Sequence, residues 1–235
     1  MPSPSAVGRL PELRAVLRDS LSGALSLVFP TWCAGCDAPD TDLCASCRSL
    51  LAPEVRGRTV GGLDVRSALD FDGVAARVLR AAKEEGRTGL LRALAPALDA
   101  AVRAALVRVP DGAVALVPVP TSAAAMRRRG YRVVELLASQ ACLPTHRLLR
   151  VEGRAVDQRG LGRSERARNI AGRMRARGVE GRSVLIIDDV VTTGATLREA
   201  ARALEAARAI VVGAATVAST ALHIPRKGFV TATDR

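Results

Sequence analysis

The sequence predicts an α/β protein built on a mostly parallel, doubly wound sheet. Segments rich in aliphatic and β-branched residues alternate along the chain with segments whose apolar residues recur at helical spacing. The strongest strand signal is 183–188, because the run from Val184 to Ile187 is uniformly apolar, as in central strands covered on both faces. With 235 residues, 49% of them hydrophobic, the chain can bury one α/β core and a small appended module.

The predicted elements follow in order along the chain. Helices are expected over 10–28, 74–84, 88–107, 131–142 and 195–207, and strands over 63–71, 113–119, 147–150, 183–188 and 210–218. Helix 10–28 is amphipathic, and charged residues interrupt its apolar positions. We therefore expect it to be neither a membrane span nor a cleaved leader, and we expect the protein to be cytoplasmic. The expected units are an N-terminal helix (1–30), a four-cysteine module (31–50) and a sheet domain (60–235).

Four cysteines in two pairs indicate a metal site. The pairs are Cys33 with Cys36 and Cys44 with Cys47, and the two-residue gaps let both thiolates of a pair face one ion. Such a closed site predicts a structural zinc ion that stabilises a short loop and has no catalytic role. Two disulfides are the alternative. The fifth cysteine, Cys142, follows an apolar helical pattern and is expected to be a small core residue.

The end of strand 183–188 carries the most specific pattern. Two carboxylates are followed by a short loop before helix 195–207; these residues are Asp188, Asp189, Thr192, Thr193, Gly194, Ala195 and Thr196. A helix N-terminus beyond a strand end offers N–H groups to an anion, and the glycine permits close approach. Paired carboxylates accept hydrogen bonds from a cis-diol. Together they predict a ribose 5-phosphate site, although receiver domains and ATPases also have strands that end in two aspartates.

The order of motifs resembles that of the ComF family, which has the type I phosphoribosyltransferase fold. The matching motifs are Phe29-Pro30 before the cysteines, Phe71-Asp72-Gly73, Lys83, Val117-Pro118-Val119-Pro120, Arg129-Gly130-Tyr131, Gln158, Gly160-Leu161, Glu165-Arg166, Asn169 and the Asp188-Asp189 motif. The resemblance extends from about Phe29 onward. It implies the type I phosphoribosyltransferase fold, with an N-terminal helix and a small zinc module added to it.

The resemblance also implies a reaction. In it a nucleophile displaces diphosphate from phosphoribosyl diphosphate (PRPP), with Mg²⁺ bridging the diphosphate and the ribose hydroxyls. The aspartates and the loop 192–196 would bind PRPP, and Lys83, Arg129 and Arg166 would be the catalytic cations near the leaving diphosphate. Lys83 is equally explained as a favourable cation at a helix C-terminus, and Arg127 or Arg128 could replace Arg129.

Two further features concern the expected activity. The segment 151–181 is too polar and too often broken by glycines to belong to the core, and by resemblance it is a mobile loop that closes over the reacting centre. The family typically has Leu-His and Asn-Gln where this chain has Thr121-Ser122 and Arg132-Val133. Both changes lie in the loop expected to hold diphosphate, so they favour PRPP binding over turnover. A PRPP sensor without turnover is therefore a second hypothesis.

The charge of the chain favours polyanionic partners. The net charge is +12, and eleven arginines lie between Arg147 and Arg182 against four acidic residues. Solvated arginines without a partner explain this pattern equally well. ComF relatives are associated with DNA uptake in competent bacteria, so a protein that handles single-stranded DNA together with competence proteins is the third hypothesis. The five aromatic residues offer few stacking surfaces for bases, so such binding would be mainly electrostatic.

Overall fold

The computed structural model describes residues 31–107, 109, 112–152 and 172–220. The predicted helix over 10–28, the Phe29-Pro30 motif and the stretch 153–171, which includes Arg166, lie outside these residues. Within the described ranges, none of the helices is both long and apolar enough to span a lipid bilayer.

The described residues form an α/β domain. Its helices are α1 (Ala45–Ser49), α2 (Gly73–Glu84), α3 (Leu91–Leu106), α4 (Ala123–Arg129), α5 (Val133–Gln140) and α6 (Ala195–Ala206), with a 3₁₀ helix (Thr88–Leu90) leading into α3. Its strands are β1 (Arg56–Val60), β2 (Leu63–Asp70), β3 (Val114–Pro118), β4 (Leu149–Val151), β5 (Met174–Ala176), β6 (Ser183–Val191) and β7 (Ile210–Ser219).

The main sheet has five strands in the order β1-β2-β7-β6-β3. Strands β2, β7, β6 and β3 run parallel to one another, and β1 pairs antiparallel with β2 at the edge. A separate antiparallel pair joins β4 to β5. The predicted α/β class with a mostly parallel sheet is therefore confirmed.

Strand β6 separates two apolar layers. Leu185 and Ile187 pack in the cluster that contains α2, α3 and α5, whereas Val184 and Ile186 pack in the cluster that contains α6 and the β4–β5 pair. All four side chains are fully buried. The strand is apolar at consecutive positions because helices or strands cover both of its faces.

The structure adds elements that the sequence patterns did not predict. Strand β1 is an edge strand with three exposed positions, so it lacks the apolar run of a buried strand. Helix α4 exposes Arg127 and Arg128 and fully buries no residue. Its N-cap is Ser122, whose hydroxyl accepts the N–H of Ala125, and its C-cap is Gly130 with a φ of 78°. Neither element has the periodicity of a core element.

The segment 151–181 is partly ordered structure. Its described flanks contain Val151 at the end of β4 and all of β5. Met174 and Val179 are buried in the cluster beneath α6, so the expectation that this segment is too polar for the core is wrong for 172–181. The mobile loop is expected over about 151–181, and its residues 153–171 lie outside the described ranges.

The buried carboxylate of Glu199 in α6 attaches β5 to that helix. The Glu199 carboxylate accepts the backbone N–H of Met174 at 2.9 Å and two guanidinium N–H groups of Arg202 at 2.7 Å. Glu199 is 5% exposed. The bonds from Arg202, helped by the Met174 N–H and opposed by burial, lower the pKa of Glu199 from 4.5 to about 2. The ionised form is therefore the one that stabilises the fold.

We expect Glu199→Gln to lower the free energy of unfolding at pH 7 by about 2–3 kcal/mol, because it removes charge-assisted hydrogen bonds in a buried site. The folded-state pKa of Glu199 is depressed, so this stability is present above pH 4.5 and is lost as the pH falls towards about 2. Urea denaturation at pH 7 and pH 3 measures both effects. The exposed Glu205 on the same helix provides the control, and Glu205→Gln should change stability by less than ~0.5 kcal/mol. Equal effects of the two substitutions would contradict the prediction.

Candidate functional site

The carboxyl ends of the parallel strands meet at one edge of the sheet. Beyond the last paired residues, Thr220 donates its N–H to the Val191 carbonyl at 3.0 Å, and Val119 donates to the Ile187 carbonyl at 2.9 Å. These bonds hold the loops after β3, β6 and β7 side by side. Such an edge is where open α/β sheets bind ligands.

Strand β6 carries Asp188 and Asp189 to this edge, and it continues to Val191 instead of ending at 188 as expected. Asp189 is 9% exposed, and its Oδ2 atom lies 2.7 Å from the Nζ atom of Lys83 in the last turn of α2. Lys83 is thus both a cation at a helix C-terminus and the partner of Asp189. The structure brings together three residues that the sequence pattern assigned to one site.

The Asp188 carboxyl favours its neutral form. Burial and the neighbouring Asp189 carboxylate raise the pKa of Asp188 to about 8, against the opposing effects of the Asp189 backbone N–H and the Lys83 charge. The Asp188 Oδ1 atom accepts that N–H at 2.8 Å. The raised pKa therefore favours a neutral Asp188 carboxyl group beside the Asp189–Lys83 ion pair at pH 7.

The loop 192–196 leads from β6 into α6. Thr192 and Thr193 are exposed, and Gly194 is the N-cap residue of α6 with a φ of 71°. Thr193 Oγ1 accepts the N–H of Ala195 at 3.4 Å, and Thr196 lies in the first turn of α6. The exposed hydroxyls and the first N–H groups of a 12-residue helix form a cradle suited to a phosphate group.

Gly194 is required for two reasons. Its positive φ disfavours any residue with a side chain, and a Cβ atom there would lie 2.1 Å from Cγ1 of Val60 in β1. Strand β1 therefore packs directly behind the cradle. Strand β1 was not among the predicted elements, although Gly61-Gly62 between two stretches of mixed polar and apolar residues is a hairpin signal that locates it.

Arg129 differs from its two neighbours. Arg127 and Arg128 are exposed, whereas Arg129 is half-buried. The Arg129 Nε atom is buried and has no hydrogen-bond partner within the described part of the chain. Nearby, the Tyr131 hydroxyl donates to the Ala82 carbonyl beside Lys83, which ties the loop after α4 to α2.

The four paired cysteines form one cluster. Their Sγ atoms all lie within 4.8 Å of one another, and those of Cys36 and Cys44 are 3.7 Å apart. A tetrahedral zinc ion with Zn–S bonds of about 2.3 Å would hold sulfur atoms about 3.8 Å apart. None of the cysteines forms a disulfide, and the cluster could hold zinc.

The protonation preferences of the thiols also suit a cation. Burial of the Cys33 thiol favours its neutral form, but backbone N–H groups of Cys44, Gly35 and Cys36 outweigh this and hold its pKa at about 6. Burial and the neighbouring sulfur atoms raise the pKa of Cys47. The thiolate form of Cys33 is thus favoured, and that of Cys47 is disfavoured. A bound divalent cation would stabilise all four cysteines as thiolates.

The cysteine module packs into the main core. Cys33 and Cys47 are 0% and 3% exposed and belong to the same apolar cluster as α2 and α3. A Cβ atom on Gly35 would lie 2.5 Å from the Cys47 Sγ atom, so the knuckle approaches closely enough to exclude a side chain. Arg77 pairs with Asp37 and attaches the module to α2. By contrast, Cys142 is exposed, so its predicted place in the core is wrong.

Comparisons with known proteins show a partial family match. Residues 124–227 match the family described as phosphoribosyl transferase domain. An adenine phosphoribosyltransferase from Rhodococcus jostii is 55% identical over 40 residues, which cover 17% of this chain and 23% of that protein. The alignment with the crystal structure of an adenine phosphoribosyltransferase from Leishmania donovani covers 74% of this chain and 68% of that protein chain, with 19% sequence identity and a TM-score of 0.33. The cysteine module, β1 and Lys83 precede the matched segment.

We expect Asp188→Asn to stabilise the protein increasingly as the pH rises from 5 to 9. Because the folded-state pKa of Asp188 is raised, its contribution to stability is fully present below about 3.8 and is lost as the pH rises through about 8. The asparagine cannot ionise and avoids that loss. Thermal unfolding at several pH values measures the gain, with the exposed Asp72→Asn as control. A gain that does not grow with pH would contradict the raised pKa.

We expect removal of zinc to lower the melting temperature of the whole domain by more than about 5 °C, because two of the four sulfur ligands lie in its core. Circular dichroism during chelator treatment measures this. Cys33→Ser should reproduce the effect without chelator, whereas Cys142→Ser at the exposed cysteine should not. If the protein purified without stoichiometric zinc has the same melting temperature as protein to which zinc has been added, a structural role for zinc is excluded.

Proposed function

We propose that this protein binds Mg²⁺-PRPP and transfers its phosphoribosyl group to an acceptor, with release of diphosphate. The observation that carries the proposal is the convergence of Asp188 and Asp189 with the N-terminus of α6 at the end of β6. The carboxyl groups provide hydrogen-bond acceptors for a diol, and the helix N-terminus provides hydrogen-bond donors for a phosphate group. The phosphoribosyl transferase domain match over 124–227 supports the same reaction class.

The cradle would hold the 5-phosphate of the substrate. The N–H groups at the start of α6 and the hydroxyls of Thr192, Thr193 and Thr196 would donate to the phosphate oxygens. The close approach of Val60 behind Gly194 leaves the opposite side of the loop for the ligand. The two threonines that precede Gly194 are exposed on the loop.

The aspartates would orient the ribose. Their carboxyl groups would accept hydrogen bonds from the two ribose hydroxyls. Because Lys83 pairs with Asp189 and the pKa of Asp188 is raised to about 8, the cluster is close to neutral at pH 7. A polyanionic substrate would therefore meet little repulsion from two acidic residues.

The leaving diphosphate requires cations. Lys83 and Arg129 are the candidates on the described chain, and the buried Nε atom of Arg129 has no hydrogen-bond partner there. Arg166, the third expected cation, belongs to the stretch outside the described residues. Mg²⁺ would enter with the substrate and would neutralise part of the diphosphate charge.

We further propose that the protein is ComF-like. Support comes from the cysteine cluster ahead of the sheet domain and from the order of the Phe71, Lys83, Arg129 and Asp188 motifs. The acceptor in this proposal is a nucleophile that remains to be identified. The zinc module would have a structural part in it, since four sulfur ligands leave no open coordination position.

We expect calorimetric titration to detect saturable binding of Mg²⁺-PRPP that is lost in the Asp188→Ala/Asp189→Ala double variant. The matched control is Asp70→Ala/Asp72→Ala, which removes two acidic residues at and just beyond the end of β2, a strand separated from β6 by β7, and should keep most of the affinity. Each variant must first show a cooperative unfolding transition. Absence of binding by the folded wild type would refute the proposed substrate.

A second measurement separates transfer from sensing. Diphosphate release from Mg²⁺-PRPP in the presence of a panel of nucleobases and amines indicates a transferase. Binding without release across the panel would leave a PRPP sensor and contradict the catalytic part of the proposal.

A further inference from the structure

Arg58 of β1 contacts the backbone of the loop that follows β6. One of its terminal nitrogens donates to the Thr192 carbonyl at 2.8 Å, and the other donates to the Thr220 carbonyl at 3.2 Å. A single guanidinium thus joins the loops after β6 and β7. These contacts span 134 and 162 residues of sequence, and no motif of the chain suggested them.

The contact with Thr192 fixes the direction of one peptide group. In a trans peptide the carbonyl of one residue and the N–H of the next point in opposite directions, and the described chain has no cis peptide. Because the Thr192 carbonyl faces the Arg58 guanidinium, the Thr193 N–H points away from that guanidinium. Thr193 is itself exposed, as a residue that meets a ligand must be.

We propose that Arg58 is a positioning residue for the ribose-phosphate loop, holding the 192–193 peptide so that its N–H group donates to the phosphate. The inference rests on the proposed function, and it assigns to β1 a part in the site. It concerns the phosphate end of the substrate and makes no use of Arg129 or Lys83.

The environment of Arg58 supports a specific role. The residue is half-buried, and its Nε atom is buried with no partner among the described residues. Burial of the Nε–H group without a partner opposes folding, whereas both terminal nitrogens are used to hold the two loops. Its positive charge also lies directly behind the phosphate cradle.

Arg66 on the adjacent strand β2 provides a matched comparison. Its guanidinium pairs with Asp64 at 2.8 Å, and its side chain is 20% exposed. Removing Arg66 therefore deletes one positive charge from the same hairpin without touching the loop. The comparison separates the loss of charge from the loss of the backbone contact.

The test measures binding of ribose 5-phosphate and of Mg²⁺-diphosphate by calorimetry to the full zinc-loaded chain. The Thr193 amide resonance is followed in threonine-labelled protein by NMR. The variants are Arg58→Met, which keeps the apolar stem but no donor, Arg58→Lys and the control Arg66→Met. Melting temperatures establish that each is folded.

We expect Arg58→Met to weaken ribose 5-phosphate binding about tenfold or more, since hydrogen bonds involving a charged group are lost, and to leave Mg²⁺-diphosphate binding within about twofold. The ligand-induced shift of the Thr193 amide should shrink. Arg58→Lys can still donate to one carbonyl and should bind ribose 5-phosphate more tightly than Arg58→Met but more weakly than the wild type. If Arg58→Met does not fold, the affinity of Arg58→Lys relative to the wild type is the test. Arg66→Met should bind as the wild type does.

Two results would overturn the inference. Unchanged ribose 5-phosphate affinity in Arg58→Met, or in Arg58→Lys if the first variant is unfolded, would refute the positioning role while leaving the proposed function intact. A wild-type protein that binds neither ribose 5-phosphate nor Mg²⁺-PRPP would refute the site itself, and the role of Arg58 with it.

Discussion

A strand that is buried on both faces can present polar side chains only near its ends, and β6 is such a strand. Its four apolar residues from Val184 to Ile187 join the two clusters of the core, so the position of the strand cannot shift without opening both. The aspartates that follow are therefore held at the edge of the sheet. The loop into α6 begins from the same fixed point, which is why a phosphate cradle and a carboxyl pair lie next to each other.

The acidic residues of the site are compatible with an anionic ligand because their charge is compensated locally. Lys83, brought by the last turn of α2, pairs with Asp189, while burial raises the pKa of Asp188 to about 8. The Tyr131 hydroxyl donates to the carbonyl beside Lys83 and links the loop after α4 to the same helix end. Elements from three separated regions of the chain thereby set the electrostatics of one site.

The cysteine module illustrates how a local motif becomes part of a larger core. Its buried thiols lie in the apolar cluster of α2 and α3, and Lys83 lies in the last turn of α2. Helix α2 therefore connects the cysteine cluster with the acidic pair of β6. The module contributes to stability and fixes the element that carries the cation, although four sulfur ligands give it no open position for chemistry.

Patterns in the sequence were enough for the features that depend on near neighbours in the chain. The apolar run of β6, the helical spacing of α3 and α6, the cysteine pairs and the loop with Gly194 each follow from residues within one element. No such pattern marks the edge strand β1 or the short helix α4, because each buries few side chains. The pairing of β4 with β5 was not predicted either, because the two strands are far apart in sequence. The ion pair of Lys83 with Asp189, the raised pKa of Asp188 and the contact of Arg58 with Thr192 join residues far apart in sequence. Only the tertiary structure decides these, since they depend on which groups packing excludes from water and brings within hydrogen-bond distance.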